Sequence, residues 1–191
     1  MFRRRTELLL KTERLYLRPP HLGDHVAWAQ LRSDGYNYLA PWEPLRAHDH
    51  LSIASFRTRT RWSARAIRAD RAVPLFVFRR EDDTLLGAIT LDNIQRGPAQ
   101  YATVGYWMGE PYAGLGYMAE ALEAIVHHGF GTLDLSRIQA ASLPENAASR
   151  RVLEKAGFKY EGVARSYLQI AGKWRTHVIY ACLRGDRRGK G

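Results

Sequence analysis

The sequence predicts a mixed α/β domain built around one central sheet, and three observations carry that reading. Strand-like and helix-like segments follow one another in the order β-α-α-β-β-β-α-β-α-β-β, without an internal repeat, a low-complexity stretch or an interdomain linker. Near the middle, residues 104–121 read VGYWMGEPYAGLGYMAEA, an apolar aromatic run, then a glycine-containing loop, then helical periodicity. The length of 191 residues, with 46% hydrophobic and 25% charged residues, suits one globular domain with a single core.

Each element has a local reason. Residues 6–20 contain Leu8, Leu9 and Leu10 and then Leu15, Tyr16, Leu17 and Arg18, which reads as a strand stopped by prolines. Asp24 is a candidate cap for a helix carrying Val26, Ala27, Trp28 and Leu31. Residues 36–44 read as a proline-punctuated aromatic loop. Residues 49–70 read as a second helix with Leu51, Ile53, Ala54, Phe56 and Trp62 inward and Arg57, Arg59, Arg61, Arg65 and Arg68 as a charged outer surface. Residues 73–80 and 85–94 are strands joined by an Asp-rich turn, and residues 100–108 form a third. Strand-like residues 137–143 lead to a helix that Asn146 caps and Gly157 ends. Residues 158–170 and 173–183 make a hairpin turned at Ala171 and Gly172.

The strand, glycine loop and helix start of residues 104–121 make an anion cradle. Glycines let backbone approach a ligand closely, and the free N–H groups and dipole of a helix start face negative charge. The spacing is not that of the P-loop, since no Gly-Lys-Ser/Thr follows, and the third glycine of the dinucleotide fingerprint is missing. A pyrophosphate held by backbone alone, as in coenzyme A, fits it. Read by itself, the same Gly-x-Gly also fits a tight turn before a core helix.

Joined to Asn146, Ser149, Lys155, Gly157 and Phe158 in the pattern N-x-x-S…K-x-G-F, the loop resembles the GNAT family of acetyl-CoA-dependent N-acetyltransferases. Residues 38–44, 93–97 and 167–177 are similar to the ribosomal-protein-alanine N-acetyltransferase branch, and the likeness covers residues 8–184 as one domain. It implies a central, mostly antiparallel sheet flanked by helices and splayed at the cofactor site. It also implies acetyl-CoA as cosubstrate, without a metal, and a protein N-terminus, that of a ribosomal protein included, as acceptor; a small-molecule amine as acceptor, or a non-catalytic coenzyme-A-binding, ribosome-associated factor, are the alternatives.

The chemistry then falls on named residues. Cofactor contacts are expected from Tyr112, Ala113, Gly114, Leu115, Gly116, Tyr117 and Met118, chiefly through backbone N–H groups, with Pro111 standing where the family often has Gln or Arg. The resemblance implies exposed N–H groups at Trp107 and Met108 aimed at the thioester; an ordinary paired strand is the alternative. It implies Glu110 as general base acting through water, against a solvated loop glutamate. It implies Ser149 as the donor of the thiolate's proton, against a serine that bonds only backbone, with Asn146 both capping its helix and reaching the pantetheine arm. Many relatives carry a tyrosine acid further along this helix, near Leu153 here. Trp42, Glu43, Tyr167 and Trp174, with Arg175 and His177, are candidates for the acceptor wall, Glu43 pairing with the incoming ammonium.

Composition bounds the rest. One cysteine, Cys182, excludes an internal disulfide and reads as a buried small residue. The histidines show no two-His helical spacing and no cysteine cluster, so no metal site is expected. No apolar run reaches the length of a membrane span, and Met1-Phe2-Arg3-Arg4-Arg5 lacks a signal-peptide core, which predicts a cytoplasmic protein. The net charge of +10 favours polyanions, either coenzyme A phosphates or a ribosome or RNA surface. Residues 1–7 and 185–191 are expected to be flexible basic tails.

Overall fold

The computed structural model describes residues 8–187, so the expected N-terminal tail and residues 188–191 lie outside the described residues. A short 3-10 turn, Arg184–Arg187, occupies the start of the expected C-terminal tail, where Asp186 accepts a hydrogen bond from Lys159 at 2.6 Å.

Among the described residues eight strands make one sheet: β1 (Leu10–Lys11), β2 (Leu15–Arg18), β3 (Val73–Arg79), β4 (Leu85–Gln95), β5 (Tyr101–Met108), β6 (Arg137–Ser142), β7 (Lys159–Ile170) and β8 (Lys173–Leu183). Their spatial order is β1-β2-β3-β4-β5-β6-β8-β7. Every neighbouring pair is antiparallel except β5 and β6. Among the described residues five α-helices accompany it: α1 (His25–Asp34), α2 (Tyr36–Leu39), α3 (Ile53–Arg68), α4 (Tyr117–Gly131) and α5 (Ala147–Lys155).

Alternation along the strands separates two cores. On one face Leu75, Val77, Leu86 and Ile89 bury against Met118, Leu122, Ile125 and Val126 of α4 and Leu153 of α5. On the other, Phe76 and Phe78 meet Trp28 of α1 and Phe56 of α3, with Trp107 packed alongside. Cys182 is fully buried in the first core. Gly87 permits the close packing of β4 on β5, since a Cβ there would meet the carbonyl oxygen of Trp107 at 2.3 Å. The hairpin between β7 and β8 turns on Ala171 (φ +48°) and Gly172 (φ +77°), the positive pair that a two-residue turn matched to strand twist requires.

Several local expectations are corrected. Of the expected strand over residues 6–20, the described residues 8–20 hold two short paired strands rather than one, because Thr12 donates its N–H to Leu15 and reverses the chain. Asp24 does not cap α1 through its side chain; its carboxylate takes a two-pronged bond from Arg18 at 2.8 and 2.7 Å. Residues 36–42 are not loop but α2 followed by a 3-10 turn, Ala40–Trp42. On α3 the buried positions are Phe56, Ser63 and Ala66, while Ile53, Ala54 and Trp62 face outward. The helix is narrower in its apolar stripe than the abundance of large residues suggested.

Candidate active site

β5 and β6 are paired only from Tyr101–Thr103 to Arg137–Gln139, so beyond Thr103 the two strands part. Gly109 donates its N–H to Leu86 of β4 at 2.8 Å, and ladder groups alternate sides along an antiparallel strand. The N–H groups of Trp107 and Gly105 therefore point at β4, whereas those of Val104, Tyr106 and Met108 point into the split. The same alternation on β6, set by Arg184 donating to Ser136, turns the polar backbone of Ala141 toward the split from the other side. Of the two expected oxyanion donors only Met108 faces the opening. Trp107 is turned away, its ring lying under the Arg32 guanidinium at 4.8 Å on the opposite face.

The loop after β5 begins with a 3-10 turn, Glu110–Tyr112, in which Tyr112 donates to Gly109 and Ala113 to Glu110. Those two N–H groups are thereby occupied, which removes Tyr112 and Ala113 from the expected backbone donors. Gly114 (φ +77°) and Gly116 (φ +83°) then bend the chain through the left-handed region. The helical ladder starts with the N–H of Glu120 on Gly116, and among the described residues no acceptor takes the N–H groups of residues 114–119. Nothing stands within 4 Å of a Cβ built on Gly114, so the cradle is open on that side. Free donors, open space and a helix N-terminus together fit a pyrophosphate.

The turn between β1 and β2 braces this cradle. Arg14 holds Glu120 through its Nε at 2.7 Å and its backbone N–H at 2.9 Å, donates to the Leu115 carbonyl at 3.1 Å, and lies 4.5 Å from the Tyr117 ring centre. Burial pushes the Glu120 carboxyl up, but hydrogen bonds from Thr12 and Arg14 and the Arg14 charge bring it below the usual range. The carboxylate at the first helical turn is thus neutralised by a partner instead of repelling a bound anion.

Across the split, Asn146 caps α5 by accepting the N–H of Ser149 at 3.0 Å. The Ser149 hydroxyl meets the Tyr106 hydroxyl at 3.0 Å, and Tyr106 also donates to the Ser149 carbonyl at 3.1 Å. Burial pushes the Tyr106 phenol up to about 12, so it remains protonated and able to donate. Tyr106 was not among the residues expected from sequence. Its place two residues before Met108, on the same side of β5, was the available signal.

The α1 side of the sheet carries the second half. Arg32 holds Glu43 with two hydrogen bonds, at 2.8 and 2.5 Å, and Arg46 lies 3.6 Å from the same carboxylate. Burial raises the Glu43 carboxyl, yet the Arg32 hydrogen bonds and the Arg32 and Arg46 charges hold it below its ordinary value. Glu43 is therefore engaged and not free to receive an ammonium group, which corrects the role expected for it. Its carbonyl instead accepts the N–H of Ala171 at 2.9 Å, fastening the residue 40–46 segment to the tip of the β7–β8 hairpin. Trp42 and Tyr167 are partly exposed there and Trp174 is 63% exposed, whereas His177 is buried with its ring edge-on to Tyr167 at 5.7 Å. A register shift between Ala164 and Leu168, with Ser166 at φ +47°, tilts β7 where Tyr167 stands. Arg175 is paired with Glu145 in the loop before α5. Glu110 is exposed at the end of β5, and among the described residues no ion pair reaches it.

A family profile described as Acetyltransferase (GNAT) domain matches residues 14–159. The chain belongs to the GNAT acetyltransferase family. It is an acetyl-CoA-dependent N-acetyltransferase. The chain is 34% identical over 178 residues to a probable N-acetyltransferase, YjcK, of Bacillus subtilis (strain 168), covering 93% of this chain and 98% of that protein. It is 32% identical over 179 residues to the [ribosomal protein uS5]-alanine N-acetyltransferase of Escherichia coli (strain K12), covering 93% and 91%. It superposes with a TM-score of 0.85 on Mycobacterium smegmatis RimJ in complex with CoA-disulfide, at 31% identity, over 90% of this chain and 83% of that one.

The GNAT fold gathers most of the expected site residues. Met108, Gly114, Leu115, Gly116, Tyr117 and Met118 line or flank the split and cradle, facing Asn146 and Ser149 across it. Trp42, Glu43, Tyr167 and Trp174 collect around the hairpin tip. Arg14 and Arg32 escaped the sequence reading, since their partners lie 106 and 11 residues away and no periodicity marks them. Among the described residues no group of three or more His, Cys, Asp or Glu side chains is placed to hold a metal ion. No helix among them is long and apolar enough to cross a membrane.

Proposed function

We propose that residues 8–184 act in the cytoplasm as one domain that transfers an acetyl group to the α-amino group of a protein N-terminus. A ribosomal protein is the acceptor class that the Escherichia coli relative's substrate supports. One observation carries the reading: the split lies between a backbone cradle on the α4 face and an aromatic, arginine-flanked mouth on the α1 face. Two reactants can then meet through the sheet, in direct attack rather than through an acyl-enzyme. The single cysteine, buried Cys182, offers no nucleophile for the latter.

Bound acetyl-CoA supplies the acetyl thioester. Gly114 to Met118 hold its pyrophosphate by backbone N–H groups, and the polar backbone of Val104, Tyr106 and Ala141 pairs with the pantetheine amides. Met108 donates its N–H to the thioester oxygen as negative charge develops, an effect worth about 3 kcal/mol in a water-poor site. Glu110 takes the amine's proton through water, and Ser149, its hydroxyl held in place by Tyr106, relays a proton from solvent to the departing sulfur as it gives up its own. Trp42, Tyr167 and Trp174 wall the acceptor. Arg32, Arg46 and Arg59 surround the single Glu43 carboxylate, which disfavours a polyamine at this mouth.

The test is thiol release and mass analysis with peptides bearing N-terminal Ala, the same peptides Nα-blocked, and small polyamines. Acetylation should fall on the α-amine of the unblocked peptides. Equal kcat/KM for a blocked peptide or a polyamine would refute the acceptor assignment. Ser149→Ala should lower turnover about 10²-fold and Tyr106→Phe less, with coenzyme affinity unchanged in both. Glu110→Gln should flatten the acidic limb of the pH–rate profile, which Ser149→Ala should leave in place.

A further inference from the structure

Helix α3 presents a surface that the acetyl-transfer reading does not use. From residue 51 to residue 69 the chain contains Arg57, Arg59, Arg61, Arg65 and Arg68 and no Asp or Glu. At roughly 3.6 residues per turn, Arg57, Arg61, Arg65 and Arg68 fall within about 80° of one another, in a stripe about 16 Å long. That stripe is exposed and lies nearly opposite the buried positions Phe56, Ser63 and Ala66. Among the described residues no ion pair reaches these four guanidinium groups. The nearest acids along the chain are already engaged: Asp49 accepts from the Ser55 hydroxyl at 3.0 Å, and Asp70 takes a two-pronged bond from Arg96 at 2.5 and 2.7 Å.

Such spacing works against the helix. Like charges four residues apart destabilise it by a few tenths of a kcal/mol per pair, roughly 0.2–0.5. Beside the stripe stands Trp62, a large aromatic 42% exposed on the flank between the arginines and the buried face of the helix. Guanidinium groups that match phosphate geometry, next to an open aromatic face, are the two elements that bind single-stranded nucleic acid: backbone neutralisation and base stacking. A purely electrostatic polyanion site has no use for the ring.

We propose that the outer face of α3 binds single-stranded RNA, with Arg57, Arg61, Arg65 and Arg68 on phosphates and Trp62 stacked on a base. This goes beyond the acetyl-transfer reading and does not depend on the identity of the acceptor. The probe is a fluorescently labelled 20-nucleotide oligouridine, titrated with the full-length protein across a salt series. Neutralising four phosphates gives a slope of log K against log salt near −3 at about −0.7 per contact on a single strand. Arg61→Gln/Arg65→Gln should weaken binding at least tenfold and reduce that slope by about 1.4. Trp62→Leu should weaken binding severalfold at unchanged slope and abolish the tryptophan quenching that base stacking produces. Thermal melts should be unchanged or higher in the arginine variant, which separates lost binding from lost folding.

Acetylation of a free peptide should be the same in all three proteins, so failure of RNA binding and failure of the catalytic reading are read separately. Equal affinity for polyglutamate would overturn the proposal in favour of unspecific attraction. Binding to anionic phosphatidylglycerol vesicles without binding to oligouridine would overturn it in favour of a membrane surface. Unaltered RNA affinity in both variants would place the RNA elsewhere.

Discussion

At the scale of single residues, the Arg32–Glu43 pair shows how burial changes what a side chain can do. Glu43 stands in the loop where an acceptor-binding carboxylate was expected, but its side chain is 13% exposed and that of Arg32 only 7%. A carboxylate so enclosed needs a partner, and Arg32 supplies two hydrogen bonds. Glu43→Gln should destabilise the protein by about 3 kcal/mol, since it leaves the Arg32 charge buried and unpaired. The pH dependence follows from the sign of the shift. Glu43 in the folded protein titrates below its ordinary 4.5, so the unfolded chain binds more protons between the two values. The pair's contribution is then complete above about pH 4.5 and lost as pH falls through the folded value. Denaturant unfolding of wild type and variant should differ most near neutral pH and converge in acid.

At the scale of elements, the junction of β5 and α4 is governed by backbone rather than by side chains. Gly116 is the residue before α4 and holds φ +83°, where a β-branched residue is strained. Gly116→Val should cost about 1–2 kcal/mol of stability from the left-handed backbone alone. It should also raise the coenzyme dissociation constant at least tenfold, about 1.4 kcal/mol, because the loop can no longer present its N–H groups. Calorimetric titration with coenzyme A checks the second figure and thermal melting the first. An unchanged affinity in a folded Gly116→Val protein would remove the cradle from this loop. Here the sequence was most legible: glycines, an apolar strand and a periodic helix are local signals. The 3-10 turn that occupies the N–H groups of Tyr112 and Ala113 was not, because its hydrogen bonds depend on how Pro111 sets the chain after Gly109.

At the scale of the whole molecule, the sheet is a partition with different business on its two faces. α4 and α5 cover one face and α1 and α3 the other, and where β5 leaves β6 the sheet opens between them. Acceptor and coenzyme contacts should therefore separate in kinetics. Trp42→Ala and Trp174→Ala should raise KM for an N-terminal peptide severalfold while leaving the coenzyme dissociation constant unchanged. The converse should hold for Gly116→Val. A parallel loss of coenzyme affinity in either tryptophan variant would mean that the two faces are not independent.

What the sequence determined alone was whatever is encoded by neighbours. The mixed α/β order, the Gly114–Gly116 bend, the Asn146 cap and the burial of Cys182 follow from spacing, propensity and polarity within a few residues. The tertiary structure decided what depends on distant partners. Which strands pair and where pairing stops made the split, and the parity of β5 then chose Met108 and Tyr106 over Trp107. Packing against the sheet buried Phe56 fully and left Trp62 at the edge, 42% exposed, on a helix where both are large and apolar. Chain reversal brought Arg14 to Glu120 and the residue 40–46 loop to the hairpin tip. Such pairings leave no periodic mark in the chain, because their free energy comes from excluding water between segments that only the folded sheet brings together.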